Sequence, residues 1–462
     1  MKVIIIGAGI IGCAAARFLS EYEVDIMVIE RGSDVAVGAS KANSGILHAG
    51  YDCEPGTVKA RANVDGLAMY GRLVRELDIP CRVNGSMVVE FDGAGQGRLE
   101  QLYENGLANG VRGLELLSGE EALALEPNLS HNITAALRAT TAGIISPYEA
   151  TIAFGENAVM NGAEFLFNTV VTGVSAAGAG FVVRTSAGNF ATDVVINAAG
   201  VNSGEVFNMA CGDIRQEEIL PQRGQYYLLD NTQRDLVQHT IFQLPTRLGK
   251  GVLVAPTVDG NILLGPTAEN IPCGENTETT PEGLREALEK VNLSLKNVPI
   301  RDRIANFAGV RAKHAGKDFI IEETKPGFIS AIGIDSPGLT AAPAIAAKLA
   351  DMALARVSPR HKRDFNPHRP AITRFRELDR QAQAELIAKN SAFGRVVCRC
   401  ETITEAEILE SIRRPIGARN LDAIKRRTRA QMGRCHGGFC SVRLMELLGR
   451  ELGIAEEAVG KS

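Results

Sequence analysis

The first thirty residues constrain this chain more than any other stretch. Val3-Ile4-Ile5-Ile6 is a short all-apolar run, of the kind that forms a strand buried on both faces. It runs straight into Gly7-Ala8-Gly9-Ile10-Ile11-Gly12, a G-x-G-x-x-G. An alanine-rich helical stretch from Ala14 to Leu19 follows, then a second strand, Asp25 to Ile29, ending in Glu30. One glycine makes the tight turn, one lets backbone approach a pyrophosphate, and one lets helix pack on strand. The helix N-terminus offers free N–H groups and a positive dipole end to phosphates. Glu30 stands where a carboxylate accepts both hydroxyls of an adenosine ribose and repels a 2′-phosphate. A helix that merely packs tightly would account for the glycines but not for Glu30. Strand, glycines, helix, strand and acid in register predict a dinucleotide site.

At 462 residues the chain has room for two or three domains. A net charge of −4 argues against a nucleic-acid binder, which would carry a basic excess. No apolar run approaches the roughly 18–20 residues of a membrane span. Met1 leads directly into the first strand, leaving no room for a signal peptide, so a cytoplasmic protein with reduced thiols is expected. Of nine cysteines, Cys13, Cys53, Cys81, Cys211 and Cys273 are scattered singly and read as packing residues. Cys398, Cys400, Cys435 and Cys440 are clustered.

The segment Gly38 to His48 is too polar and irregular for a core element, and its small residues and hydroxyls suit close approach to a ligand. Helical spacing predicts helices over about Val58 to Leu77 and over Leu99 to Ala108, with strand-like pattern from Ile79 to Phe91 between them. Phe165 to Val171, Phe181 to Thr185 and the buried run Asp193 to Gly200 read as strands of the cofactor domain. The last returns the chain to the dinucleotide, since ligands bind at the carboxyl ends of parallel strands. Gln225 to Leu229, Gly251 to Ala255 and Asn261 to Gly265 read as antiparallel strands of an inserted substrate domain. Gly327 to Gly333 precedes Ser336-Pro337-Gly338-Leu339-Thr340 and an alanine-rich helix to about Val357, with Thr340 as its expected cap. From Pro359 to Arg380 the chain is polar and basic and reads as a linker.

The order Gly7-x-Gly9-x-x-Gly12, Glu30, Asn43-Ser44 with His48, Asn197-Ala198-Ala199-Gly200 and Ser336-Pro337-Gly338 resembles FAD-dependent oxidoreductases of the D-amino-acid-oxidase type. Within that family, Ala42 to His48, Arg223-Gly224-Gln225-Tyr226, Pro256 to Gly260 and Phe307 to Arg311 are most similar to glycerol-3-phosphate oxidases and dehydrogenases and to L-2-hydroxyglutarate dehydrogenases. The resemblance covers roughly residues 1 to 355. It implies an α/β fold, a Rossmann-like FAD-binding domain over 1–357 with an antiparallel-sheet substrate domain inserted at roughly 80–150 and 205–310. It also implies that Gly7, Gly9, Gly12, Glu30 and Arg31 hold the adenosine diphosphate half of FAD. Ser40, Asn43 and Ser44 would lie along the flavin, Val170 would face adenine through its backbone, and Gly200, Gly338, Leu339 and Thr340 would line the isoalloxazine. His48 corresponds to the histidine over the flavin face and Arg311 to the arginine that binds an anionic substrate; Lys250 and Ser336 match further substrate-site positions.

These residue types fit the chemistry. Oxidising a secondary alcohol takes a hydride from carbon while a base takes the hydroxyl proton, and histidine titrates near working pH. A guanidinium holds a carboxylate or phosphate through two parallel hydrogen bonds. Taken alone, His48 would read as a structural histidine and Arg311 as an ion-paired arginine; their motifs place them in the site. Lys250 reads also as a solvated side chain, and His314 is a further candidate at the same mouth.

Cys398-Arg399-Cys400 and Cys435-His436-Gly437-Gly438-Phe439-Cys440 give C-x-C, a helical spacer and C-x-x-x-x-C. Four thiolates can complete a [2Fe–2S] cluster. Zinc is the alternative, though its cysteine pairs usually enclose about two to four residues. Thr404 to Arg413 and Asn420 to Arg429 read as two helices presenting the pairs, and the basic run Lys425 to Arg434 as a solvated face that could also dock an acidic partner. The block resembles the bacterioferritin-associated-ferredoxin-like [2Fe–2S] domain, fused elsewhere to anaerobic glycerol-3-phosphate dehydrogenases. It places that small helical domain at 395–462, after a linker at 358–394. The resulting expectation is a dehydrogenase of sn-glycerol 3-phosphate, forming dihydroxyacetone phosphate. Electrons would pass by hydride to flavin N5, through the cluster, and on to a partner redox protein that could also hold the chain at the inner membrane face. A 2-hydroxy acid or amino acid substrate, and an electron-transfer subunit without turnover of its own, are the alternatives.

Overall fold

A computed structural model describes residues 1–91, 96–244, 251–356 and 358–462. The strand Lys2–Ile6 lies inside a six-stranded sheet, in the order Ile320–Lys325, Phe328–Ile332, Val194–Asn197, Lys2–Ile6, Asp25–Ile29, Glu164–Leu166. Every neighbouring pair is parallel except the outer one between Ile320–Lys325 and Phe328–Ile332. Alternation along the strands sends side chains to opposite faces. Val3, Ile5, Val194 and Ile196 enter one core with the helices Ile10–Leu19, Pro147–Met160 and Gly338–Leu354. Ile4, Ile6 and Val195 enter a second core with the helix Ser203–Cys211 and a three-stranded antiparallel sheet, Val171–Ala177, Gly180–Thr185 and Gly188–Thr192. A sheet covered on both faces explains why these strands read as unbroken apolar runs.

A nine-stranded sheet forms the other layer of the catalytic half. Ile219–Leu229 pairs antiparallel with Arg303–His314 and with Ile262–Gly265, and the sheet continues through Leu253–Pro256, Thr240–Gln243, Ser86–Phe91, Ile133–Ala139 and Leu114–Ser118. It has separate apolar cores on its two sides. The α/β class and the small helical C-terminal unit are as expected. Two elements differ in detail. Only Glu164–Leu166 of the expected strand at 165–171 joins the parallel sheet, because Asn168 turns the chain at φ +53° and Val171 starts the separate meander. The strand Arg303–His314 stays in the large sheet beyond residue 310.

The C-terminal unit packs three helices, Glu405–Arg413, Leu421–Thr428 and Ser441–Leu452, around Ile408, Ile424, Leu444, Leu447 and Leu448. Thr404 and Glu407 form a reciprocal capping box at the first. Glu405 accepts from Arg395 and Arg443, and these partners hold its carboxyl at about 2, below its ordinary 4.5. A carboxyl depressed in the folded state stabilises it fully above the unfolded value and loses that contribution as pH falls through the folded one. Thermal unfolding followed by circular dichroism should therefore show Tm falling between about pH 4.5 and 2, and Glu405→Gln should flatten that slope. An equally steep slope in the variant would remove Glu405 as its source.

The basic segments depart most from expectation. Residues 358–394, expected as a linker, form a strap that contains the helix Arg380–Lys389, none of it fully buried, and is fastened at a few buried points such as Arg369 and Phe375. Arg369 and Arg414 both pair with Glu156, which is fully buried, and Arg374 pairs with Glu149. Arg376 bridges Asp259 and Glu401, and Arg429 reaches the same two carboxylates and Asn261. Nor is the run Lys425 to Arg434 a solvated face. Arg426, Arg427 and Arg429 are each no more than 7 % exposed. Burial works against the charge of Arg429, but Asp259, Tyr148 and Glu401 raise its pKa in spite of it. Breaking one such buried pair typically costs about 3–5 kcal/mol, because it strands the other charge. Among the described residues, no helix is long and apolar enough to cross a membrane.

Candidate active site and cysteine centre

A cavity of about 1100 Å³ opens between the two sheets, large enough for a dinucleotide and a small substrate. Gly7 stands at its base with φ +104°, and a Cβ there would lie 2.6 Å from the Ala198 carbonyl oxygen. Gly12 lies behind the cavity wall, where a Cβ would sit 1.9 Å from the Gly7 oxygen, so it serves helix-on-strand packing. Gly9 caps the helix Ile10–Leu19 with no side chain of its own. Ser40 reaches over instead, its Oγ accepting the Ile10 N–H at 2.9 Å. Glu30 lines the cavity and accepts the N–H groups of Ala8 and Gly32, both at 2.8 Å. These amides fix the carboxylate and leave each oxygen a second acceptor position. Arg31 lines the mouth, paired with Glu275 at 2.7 Å.

Val170 and Gly200 also line this cavity. The backbone of Val170 is tied to Ser186, donating to its Oγ at 3.0 Å and accepting its N–H at 2.9 Å. What Val170 turns outward is its side chain, 47 % exposed, an apolar surface fit for a ring. Further along, Asn43 closes its own turn by accepting the Gly45 N–H, and Ser44 Oγ lies 3.3 Å from the Tyr226 hydroxyl. Gly338 and Leu339, the first turn of the helix Gly338–Leu354, aim that helix's positive end into the cavity.

His48 follows the short strand Ile46–Leu47, and its backbone is held from two sides. Thr340 Oγ accepts the His48 N–H at 2.9 Å, and Asn63 donates to the His48 carbonyl at 2.9 Å. Thr340 is thus not the expected cap; Pro337 occupies that position, and Thr340 ties the helix to the histidine segment. The His48 ring lies 5.7 Å from that of Phe242, with Nε2 3.4 Å from Ser336 Oγ. Arg311 lines the same cavity from the strand Arg303–His314. Its Nη1 makes two long contacts, 3.4 Å each, to Gln222 Oε1 and the Thr267 carbonyl. Among the described residues no carboxylate pairs with it, so its charge is available to an anion. Lys250 lies outside the described residues. His314 points elsewhere, its Nε2 2.8 Å from Glu217.

Several participants were not singled out as site residues from the sequence, although Tyr226 and Phe307 stand in segments that carry the family resemblance. Lys59 and Asp335 line the cavity as an ion pair of 2.6 Å although 276 positions separate them. Tyr226, stacked on Phe307 with centroids 4.7 Å apart, supports Ser44. Asn63 sits among charges in the helix Val58–Glu76, where nothing distinguishes it from a solvent-facing residue.

The four clustered cysteines meet as two pairs. Cys400 donates to Cys435 with sulfurs 3.5 Å apart, and Cys440 is hydrogen-bonded to Cys398. The bond from Cys440, with the backbone N–H groups of Gln431 and Glu401, lowers the Cys398 thiol against its burial, and Cys440 is raised in turn. Burial opposes ionisation of Cys435, yet the Cys400 bond and the amides of Phe439 and Gly437 lower it too. Gly433 packs on Cys400, where a Cβ would come 2.3 Å from the cysteine's own. Among the described residues no three ligand side chains converge on one point as a single metal ion requires. Two pairs of thiols, one from each cysteine motif in either pair, suit a cluster with two irons.

Comparison with known proteins accords with both centres. The profile described as FAD dependent oxidoreductase matches residues 2–352, and that of the BFD-like [2Fe-2S] binding domain matches residues 396–450. A glycerol 3-phosphate dehydrogenase of Caloramator mitchellensis is 47 % identical, over 99 % of this chain and 96 % of that protein. A glycerol 3-phosphate oxidase of Mycoplasma pneumoniae is 33 % identical over 74 % of this chain and 92 % of its own length. The solved structure of dithionite-reduced L-alpha-glycerophosphate oxidase from Mycoplasma pneumoniae with FAD bound superposes with a TM-score of 0.76. It is 30 % identical and covers 79 % of this chain and 97 % of that one.

Proposed function

This chain belongs to the FAD dependent oxidoreductase family, with FAD and a [2Fe–2S] cluster as its cofactors, and from that premise we propose that it oxidises sn-glycerol 3-phosphate to dihydroxyacetone phosphate and passes the electrons through the cluster to a partner redox protein. The observation that carries the substrate class is Arg311, which faces the cavity of His48 and Ser336 without a carboxylate partner among the described residues. The 47 % identity to a glycerol 3-phosphate dehydrogenase along 99 % of the chain supports phosphate as the anion.

In this reading residues 1–357 are the oxidoreductase unit, 358–394 the strap and 395–462 the cluster unit. Gly7, Gly9, Glu30, Ser40 and Gly338 are among the residues that hold FAD, and Cys398, Cys400, Cys435 and Cys440 those that hold the cluster. When bound, FAD supplies a hydride acceptor and the cluster a one-electron store. Arg311 fixes the substrate phosphate and so orients the carbon to be oxidised. His48 Nε2 takes the hydroxyl proton as the carbonyl forms. Ser336 steadies the ring, while Thr340 and Asn63 hold the backbone that carries it. Lys250, by its resemblance, adds a second cation for the phosphate. Cys400, the exposed member of the cysteine set, would hold the cluster on the side open to a partner. Any membrane contact runs through the partner that receives the electrons.

An anaerobic absorbance titration tests this directly. Glycerol 3-phosphate should bleach the flavin and then the cluster bands, whereas L-2-hydroxyglutarate at the same concentration should leave both unchanged. Bleaching by the hydroxy acid alone would move the enzyme to the other branch of the family. A well-loaded flavin reduced by neither would refute the substrate assignment.

A further inference from the structure

The segment from Arg31 to Ser44 forms one wall of the cofactor cavity through Val37, Gly38, Ala39 and Ser40, yet it has no helix or strand of its own. Its position depends on tethers at either side. Toward the glycine turn, the Ala36 N–H donates to the Ala8 carbonyl at 3.1 Å and Ser40 accepts from Ile10. Away from the cavity, the Asn168 N–H donates to the Gly32 carbonyl at 2.9 Å, Val35 is buried in the main core, and the cysteine domain supplies the charged tether. Asp34, 3 % exposed, accepts Arg426 Nη2 and Arg427 Nη1 on one oxygen, both at 2.7 Å, and Arg427 Nη2 at 2.8 Å on the other. Arg427 is itself fixed on the Ile416 carbonyl, and Asn420, the cap of the helix Leu421–Thr428, donates to Ser33 Oγ at 3.0 Å. Burial opposes the charge on Asp34, but the two guanidinium groups hold its carboxyl below the usual range.

We propose that Asp34, Arg426 and Arg427 are positioning residues of the FAD site, so that the C-terminal domain holds the wall of the flavin pocket as well as carrying a metal centre. Asp34 lies two residues from the Ala8 contact and six from the Ser40 contact, in a segment with no helix or strand of its own to carry its shape. Loosening Asp34 moves Ser40 and Ala36, both of which bear on the phosphate-binding turn. This inference rests on the family's cofactor and not on the identity of the substrate.

The test measures FAD release from the full-length holoprotein by gel filtration and by the recovery of free-flavin fluorescence. Asp34→Asn is expected to speed release at least tenfold and Arg426→Gln, which spares the two-pronged Arg427 pair, about threefold. Iron should stay at the wild-type stoichiometry, and excess FAD should restore reduction of the flavin by substrate. Arg434→Gln is the control, since Arg434 joins the same domain to Asp230, just past the large-sheet strand Ile219–Leu229 and away from this segment. Wild-type FAD retention in both Asp34→Asn and Arg426→Gln would overturn the proposal. So would equal FAD loss in Arg434→Gln, which would signify general loosening of the domain. If Asp34→Asn fails to fold, Arg426→Gln decides by the same criteria.

Discussion

Replacing His48 by asparagine is expected to slow reduction of the flavin by glycerol 3-phosphate by about 10²–10⁴-fold, the usual contribution of a positioned general base. That corresponds to about 3–5 kcal/mol on the barrier. Asparagine keeps a polar side chain of similar reach beside Ser336, so FAD content and substrate affinity should change little. The surrounding backbone should also survive, because Thr340 and Asn63 bond the main chain of residue 48 rather than its ring. Rapid-mixing absorbance under anaerobic conditions isolates the flavin step from later electron transfer. A rate within threefold of wild type would remove His48 as the base. The carboxylate of Asp335, paired with Lys59 in the same cavity, would then be the next group to replace.

The second large effect concerns the cysteines. Cys400→Ser with Cys435→Ser removes one whole sulfur pair and should abolish the cluster, leaving less than about a tenth of the wild-type iron. Flavin reduction by substrate should proceed at the wild-type rate, while steady-state turnover with a one-electron acceptor protein falls about tenfold or more. The two readouts separate the oxidative chemistry from the onward path. Unchanged turnover after loss of the iron would route the electrons directly from flavin to acceptor. Metal analysis of the wild-type protein adds an independent check, since one zinc per chain in place of two irons would reassign the site.

The parts of this structure that were legible in the sequence are those whose signals are local. The run from Val3 to Glu30 declares its strand, turn, helix and acid within a single βαβ unit, and the cavity forms where those residues place it. The cysteine pairs are equally local, and their six-residue and three-residue motifs come together as expected. What could not be read are pairings whose partners lie far away in the chain. Arg427 and Asp34 are separated by 393 positions, Arg429 and Asp259 by 170, and Lys59 and Asp335 by 276. A run such as Lys425 to Arg434 resembles any solvated basic face until the opposing acids are located. Thr340 shows the same limit on a smaller scale. Its place in the first turn suggested a cap, but its hydroxyl is drawn to the main chain of residues 46 and 48, brought beside it only by the tertiary fold.

The buried arginines between the two halves also bear on how charge could travel. Arg369, Arg414, Arg426, Arg427 and Arg429 fasten the strap and cysteine domain to the catalytic half at Asp34, Glu156 and Asp259, from different directions. Carriers that shuttle on flexible tethers meet donor and acceptor in turn, and their speed reflects diffusion of the tethered domain. A metal centre riveted in this manner has no such excursion to make. These pairs set its separation from the flavin pocket, so a transfer along the route proposed above would need no excursion of the domain.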